Sequence, residues 1–197
     1  MLNYYSFLWY NLYRENSLEG WLVIMNEILS NILTRTSIRL FNEKPVEKEK
    51  IDLLLKAAMA APTGKNRRPW EFIIIQNKET LTKLSDAMPY AKMTAKAPLA
   101  IVICANTDKL APDDNEIGWI CDCSAATQNL LLAANSLELG ATWTAIYAYE
   151  NRIKPARSIL KLPDNIIPLS LIPIGYPAKK FKPMEKFDET KIHYEQW

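Results

Sequence analysis

From Asp113 to Leu139 an apolar stripe recurs through Trp119, Cys123, Ala126, Leu130, Ala133 and Leu137. Steps of three and four residues put these side chains on one face of an α-helix for about five turns. Asp113 and Asp114 are suited to cap its start, and Gly140 to end it. The spacing predicts the central helix of the fold. Its small residues, Ser124, Ala125, Ala126, Ala133 and Ala134, leave room for another helix to approach, including one from a second subunit.

Around that helix the pattern alternates between helical and strand-like segments with short connections. Glu47 to Ala60 carries Ile51, Leu54, Leu55 and Ala58 on one stripe, with Pro62 just past its end. Shorter helices are expected over Glu79 to Ala87 and around Arg152 to Leu160. Phe72, Ile73, Ile74 and Ile75 make Glu71 to Gln76 a buried strand. Leu99 to Cys104 follows, introduced by Pro98, and then Ala141 to Tyr147 and Ile167 to Tyr176. Pro168 and Pro173 cannot donate to a strand ladder, so they favour edges, ends or bulges. No repeat or linker divides the chain after Met25, and residues 25–197 are expected to form one domain. Met25 offers a second beginning, and Ile28, Ile32 and Leu33 repeat at helical spacing after it. Residues 1–24, opening with "MLNYYSFLWYNLY", are expected to be an upstream extension arising from a mis-assigned start, with an interfacial aromatic patch as the alternative.

Composition narrows the chemistry. The 197 residues are 49% hydrophobic and 23% charged, enough to bury a full core. A net charge of +2, with bases scattered among acids, argues against a nucleic-acid surface. Nor is any segment suited to span a bilayer. The three cysteines, Cys104, Cys121 and Cys123, have no disulfide or zinc spacing and fit a reducing cytoplasm. Residues two apart on a helix diverge, so Cys121 and Cys123 should face different ways. No metal site is expected. His193 is the only histidine, which leaves little to build a Ser-His-Asp triad. The five glycines are too dispersed for a dinucleotide fingerprint or a phosphate loop. If the chain is an enzyme, a bound cofactor carries the chemistry.

Four segments are candidates for holding such a group, and each also has an ordinary structural reading. Arg35 to Phe41, "RTSIRLF", offers guanidinium forks and hydroxyls to a phosphate, or else a solvated turn with a capping hydroxyl. In "APTGKNRRPWEF" Asn66 can read a heterocycle edge with both donor and acceptor, while Pro69 and Trp70 can wall a flat pocket; turn chemistry explains the same residues. "LGATWTAIY", Leu139 to Tyr147, passes from helix to strand where backbone can meet a planar ligand, although Trp143 reads more simply as core. The tail from Lys179 to Trp197 carries Lys179, Lys180, Lys182 and Lys186, by default a solvated surface, and its length suits wrapping its own domain or a neighbour.

These segments, with "DCSAATQNLLLAANSLELGATW" and "IIPLSLIPIGYPAKK" followed by "EKFDETKIHYEQW", resemble in order and spacing the FMN-dependent nitroreductase family, particularly its small bacterial members. The resemblance covers nearly everything from Met25 to Trp197. It implies an α+β fold, nitroreductase-like, with a mostly antiparallel central sheet flanked by helices and a C-terminal tail exchanged in a homodimer. It implies that Arg35, Thr36 and Ser37 belong to the segment at the FMN phosphate and that Arg39 lies nearer the ring. Asn66, framed by Pro62 and Thr63, would contact the flavin of the partner subunit. The Thr144 to Ala145 backbone would pass near the ring, with Lys186 and, less directly, Lys180 reaching the phosphate. The implied activity is a cytoplasmic oxidoreductase taking electrons from NADH or NADPH to nitroaromatic, quinone or related small oxidants, with no side chain required as acid or base. Thr36 stands where a second Arg or a His is frequent in that family, and Arg68 where Gln is common; the latter implies an entrance that favours an acidic or phosphorylated electron donor or substrate.

Overall fold

The computed structural model describes residues 27–110 and 116–197. The extension expected at 1–24 and the proposed caps Asp113 and Asp114 lie outside them.

Among the described residues five α-helices and five strands follow in order: α1 (Glu27–Thr34), α2 (Lys48–Met59), β1 (Trp70–Ile75), α3 (Lys78–Ala87), β2 (Leu99–Asn106), α4 (Glu116–Ser136), β3 (Gly140–Ala141), β4 (Thr144–Ala145), α5 (Glu150–Leu160) and β5 (Ile166–Gly175). All named strand pairs are antiparallel. The sheet runs β1-β2-β5-β3, with β4 also pairing to β5. The α+β expectation therefore holds for the fold.

Period-two alternation sorts β2 into two cores. Leu99, Ile101, Ile103 and Ala105 meet α2 and α4 through Leu54, Ala58, Trp119, Cys123, Ala126 and Leu130. Ala100, Val102 and Cys104 face the other way, toward Leu81 and Leu84 of α3 and Ala156 of α5. A sheet covered on both faces explains why β2 and most of β5 read as continuous apolar runs rather than alternating ones.

Three local expectations change. The central helix stops not at Gly140 but two residues earlier, where Glu138 takes φ 61° and the Leu139 N–H donates to the Ala134 carbonyl at 2.8 Å. Gly140 instead opens β3 against Ile38, where a Cβ would come within 2.6 Å of the Ile38 Cβ. The expected strand from Ala141 to Tyr147 is two short pieces interrupted at Thr142 and Trp143. Finally, β5 is interior despite its prolines. Pro168 pairs with Cys104 beside the bulge, where the register slips between Ile103 and Cys104 and leaves Leu169 without a partner on β2. Pro173 stands opposite the interruption between β3 and β4, where its carbonyl accepts from the Thr142 N–H at 3.4 Å.

Candidate functional site

The segment after α1 is stitched to the sheet edge by its backbone. Ser37 bridges to Ala141 in parallel, and the Ile38 N–H donates to the Ala141 carbonyl at 3.0 Å. Farther along, Phe41 bridges to Pro177 and the Ala178 N–H donates to the Leu40 carbonyl at 3.0 Å. With Ile38 buried against Gly140, the next residue in extended chain turns the opposite way. That residue is Arg39, and its side chain lines a cavity of about 280 Å³.

The interrupted edge strand forms one wall of this cavity. Thr142, Trp143, Thr144 and Ala145 line it, facing Tyr90, Met93 and Arg152. Trp143, read from sequence as core, is 37% exposed there because the chain leaves the ladder at that point. Two polar atoms of the lining, the Thr142 hydroxyl and Arg152 Nε, are buried without a hydrogen-bond partner. Buried polar groups are rarely left unpaired in a folded protein, so these two are points where the packing of the wall leaves polar atoms unsatisfied. The Arg152 Nη1 donates to the Ala145 carbonyl at 2.8 Å. Its guanidinium lies 3.8 Å from the Tyr149 ring and 5.4 Å from the Tyr90 ring. The lining holds two guanidiniums and no carboxylate.

Other predicted residues are elsewhere in the single chain. Arg35, Thr36 and Ser37 are half-buried and lead into the cavity wall without lining it. The loop carrying Pro62, Thr63 and Asn66 packs near α4, where the Gly64 N–H donates to the Asp122 carboxylate at 2.9 Å. Lys65, Asn66 and Arg68 all adopt positive φ, at 52°, 55° and 51°, although none is glycine. The Arg68 side chain, expected at an entrance, is turned into its own loop, Nε donating to Asn66 Oδ1 at 2.9 Å, and its N–H donates to Thr63 Oγ1 at 3.2 Å. Trp70 is buried packing. Lys180 and Lys186 are exposed on the tail, away from the cavity lining. One chain thus joins Arg39, Thr144 and Ala145, but not Asn66 or the lysines.

Tyr90, Met93, Thr142 and Arg152 escaped the sequence reading. Only Arg152 had a local signal, three residues after Tyr149 at a spacing that brings helical side chains together. Tyr90 and Met93 come from the connection after α3, distant in sequence.

The thiols are separated as expected: Cys121 is exposed and Cys123 buried. Burial pushes the Cys104 and Cys123 thiols up to about 12, which leaves both protonated near neutrality. Among the described residues no cluster of His, Cys, Asp or Glu could hold a metal ion, and no helix is long and apolar enough to cross a membrane.

The profile describing the Nitroreductase family matches residues 32–89 and 88–176. This chain belongs to the nitroreductase family. A protein of Methanothermobacter thermautotrophicus whose name proposes an NADH dehydrogenase or NAD(P)H nitroreductase is 42% identical, over 87% of this chain and 88% of its own length. A crystal structure of a Bacteroides thetaiotaomicron protein with a similarly worded name is 49% identical, covers 88% of this chain and 99% of that one, and superposes with a TM-score of 0.83. An FMN-dependent nitroreductase of Clostridium difficile R20291 is 35% identical, covering 85% of this chain and 98% of its own at a TM-score of 0.78.

Proposed function

We propose that residues 25–197 form an FMN-dependent oxidoreductase that uses NADH or NADPH to reduce nitroaromatics, quinones or related small oxidants in the cytoplasm. The observation that carries this reading is the cavity at the β3–β4 break. Its lining brings the Arg39 guanidinium together with Trp143 and the Thr142–Ala145 segment. That combination fits a planar ring with acceptor atoms along one edge, as FMN has. The FMN-dependent name of the C. difficile relative and the three free thiols, suited to a reducing compartment, support the same reading.

Bound FMN supplies the two-electron chemistry between nicotinamide donor and oxidant. The chain's own residues bind and orient. Arg39 holds positive charge at the ring's acceptor edge, favouring the negative charge that reduction leaves there. Arg35 and Ser37, with Thr36 between them, hold the phosphate, joined by Lys186 and Lys180 of the tail. The Thr144 to Ala145 backbone lies along the ring. Pro62, Thr63 and Asn66 complete the site from a second copy, since their own loop lies away from their own cavity. The exposed apolar residues Ile28, Ile32 and Leu33 of α1, and Phe187, Tyr194 and Trp197 of the tail, supply surface for that homodimer.

Titrating flavin-free protein with FMN, followed by flavin fluorescence, tests the assignment. The expected outcome is one FMN per chain, a dimer by light scattering, and affinity weakened about tenfold or more by Arg35→Ala, as for loss of a charge-assisted hydrogen bond. Unchanged affinity in Arg35→Ala contradicts the phosphate assignment, and a flavin-loaded monomer contradicts the shared site.

A further inference from the structure

We infer that Arg152, clamped between Tyr149 and Tyr90 in the cavity wall, recognises a carboxylate on a flat aromatic oxidant, so that acidic acceptors are preferred to their neutral counterparts. The inference rests on the oxidoreductase reading and adds the substrate class. Four observations converge on it. The cavity holds two guanidiniums and no carboxylate, one more cation than a ring edge served by Arg39 requires. Among the described residues Arg152 has one side-chain hydrogen bond, from Nη1 to the Ala145 carbonyl, which fixes the plane of the guanidinium. Its Nε is enclosed without a partner, and Nη2 makes no hydrogen bond among the described residues, which leaves the outer end of the guanidinium for an anion. The Tyr149 ring at 3.8 Å and the Tyr90 ring at 5.4 Å, 51% and 74% exposed, pack against the guanidinium.

An anionic group could also arrive on the nicotinamide donor. There the phosphates are joined to the reacting ring through a ribose, which sets their charge outside a cavity of about 280 Å³. A carboxylate attached directly to an aromatic ring travels into the cavity with it, beside Trp143 and Tyr90.

Calorimetric titration of the FMN-supplemented protein with benzoate and with benzamide, which cannot be reduced, reads recognition apart from turnover. Kinetics with 4-nitrobenzoate and 4-nitrobenzyl alcohol read it in catalysis. Benzoate is expected to bind more tightly than benzamide. Arg152→Met is expected to weaken benzoate binding, and to lower kcat/KM for 4-nitrobenzoate, by about ten- to a hundredfold, with much smaller effects on the neutral partners. Arg152→Lys, which keeps the charge but not the fork, should recover part of the loss. The inference is overturned by equal wild-type affinity for the two ligands, or by parallel losses with both in the Met and Lys variants. Bleaching by NADH or NADPH that slows as much as benzoate binding weakens also overturns it, placing the anion on the donor, as does loss of FMN from both variants. A protein that takes up no FMN but still discriminates benzoate through Arg152 sinks the oxidoreductase reading and leaves the carboxylate site standing.

Discussion

Ile38 and Gly140 show how a single missing side chain positions a site. Ile38 lies so close over Gly140 that any Cβ there must displace it, and the neighbouring Arg39 is carried with it. Gly140→Ala is therefore expected to destabilise the fold by about 1–3 kcal/mol, the usual cost of forcing a methyl into a packed contact. It should also weaken FMN affinity; an unchanged urea midpoint would show that the segment adjusts freely and does not depend on this contact. The sequence marked Gly140 as structurally special, but for the end of a helix. The competing role was illegible because it depends on Ile38, a residue 102 positions earlier whose approach is a tertiary fact. Arg39 was legible from its motif. Arg152 was not, since its partners, Tyr90 and the Ala145 carbonyl, converge only in the folded chain.

Among the elements, the helices and the buried strands were readable from periodicity, whereas the division of the edge into β3 and β4 was not. The run from Ala141 to Tyr147 stays apolar enough to mimic one strand, and only the pairing of β5 with two separate pieces shows the break. Element ends are also tied by polar contacts that periodicity cannot show. Just before α2, Glu47 accepts from the Tyr176 hydroxyl at 2.6 Å beyond the end of β5, and pairs with Lys44 at 3.0 Å. The Tyr176 hydroxyl, with the backbone and Lys44, lowers the Glu47 carboxyl from 4.5 to about 2. A carboxyl depressed in the folded state stabilises it above its unfolded value and loses that contribution as pH falls from about 4.5 toward 2. The wild type should accordingly melt above Tyr176→Phe at pH 7, with the gap narrowing by pH 3. A gap that stays constant across this range would remove Glu47 from the account. The group is exposed, so the effect on melting temperature is expected to be small.

At the scale of the whole molecule, a sheet buried on both faces leaves its chemistry to an edge. The cavity opens where the edge strand breaks. Order and spacing of four segments made the family and the overall fold legible in the sequence. A site shared between two copies is implied by the resemblance alone, because no periodicity reports which copy of a chain a loop serves. Apolar residues left exposed on α1 and the tail are surface that the proposed homodimer would cover. In the function proposed above, the arrangement around Arg39 holds a flavin that a nicotinamide donor reduces. Anaerobic mixing of the purified, FMN-supplemented protein with NADH and with NADPH, followed by flavin absorbance, tests it most directly. The account predicts a protein-bound yellow chromophore that bleaches rapidly with at least one donor and recovers its colour when a quinone is added. A protein that binds no FMN, or whose bound flavin stays oxidised with both donors, would contradict it.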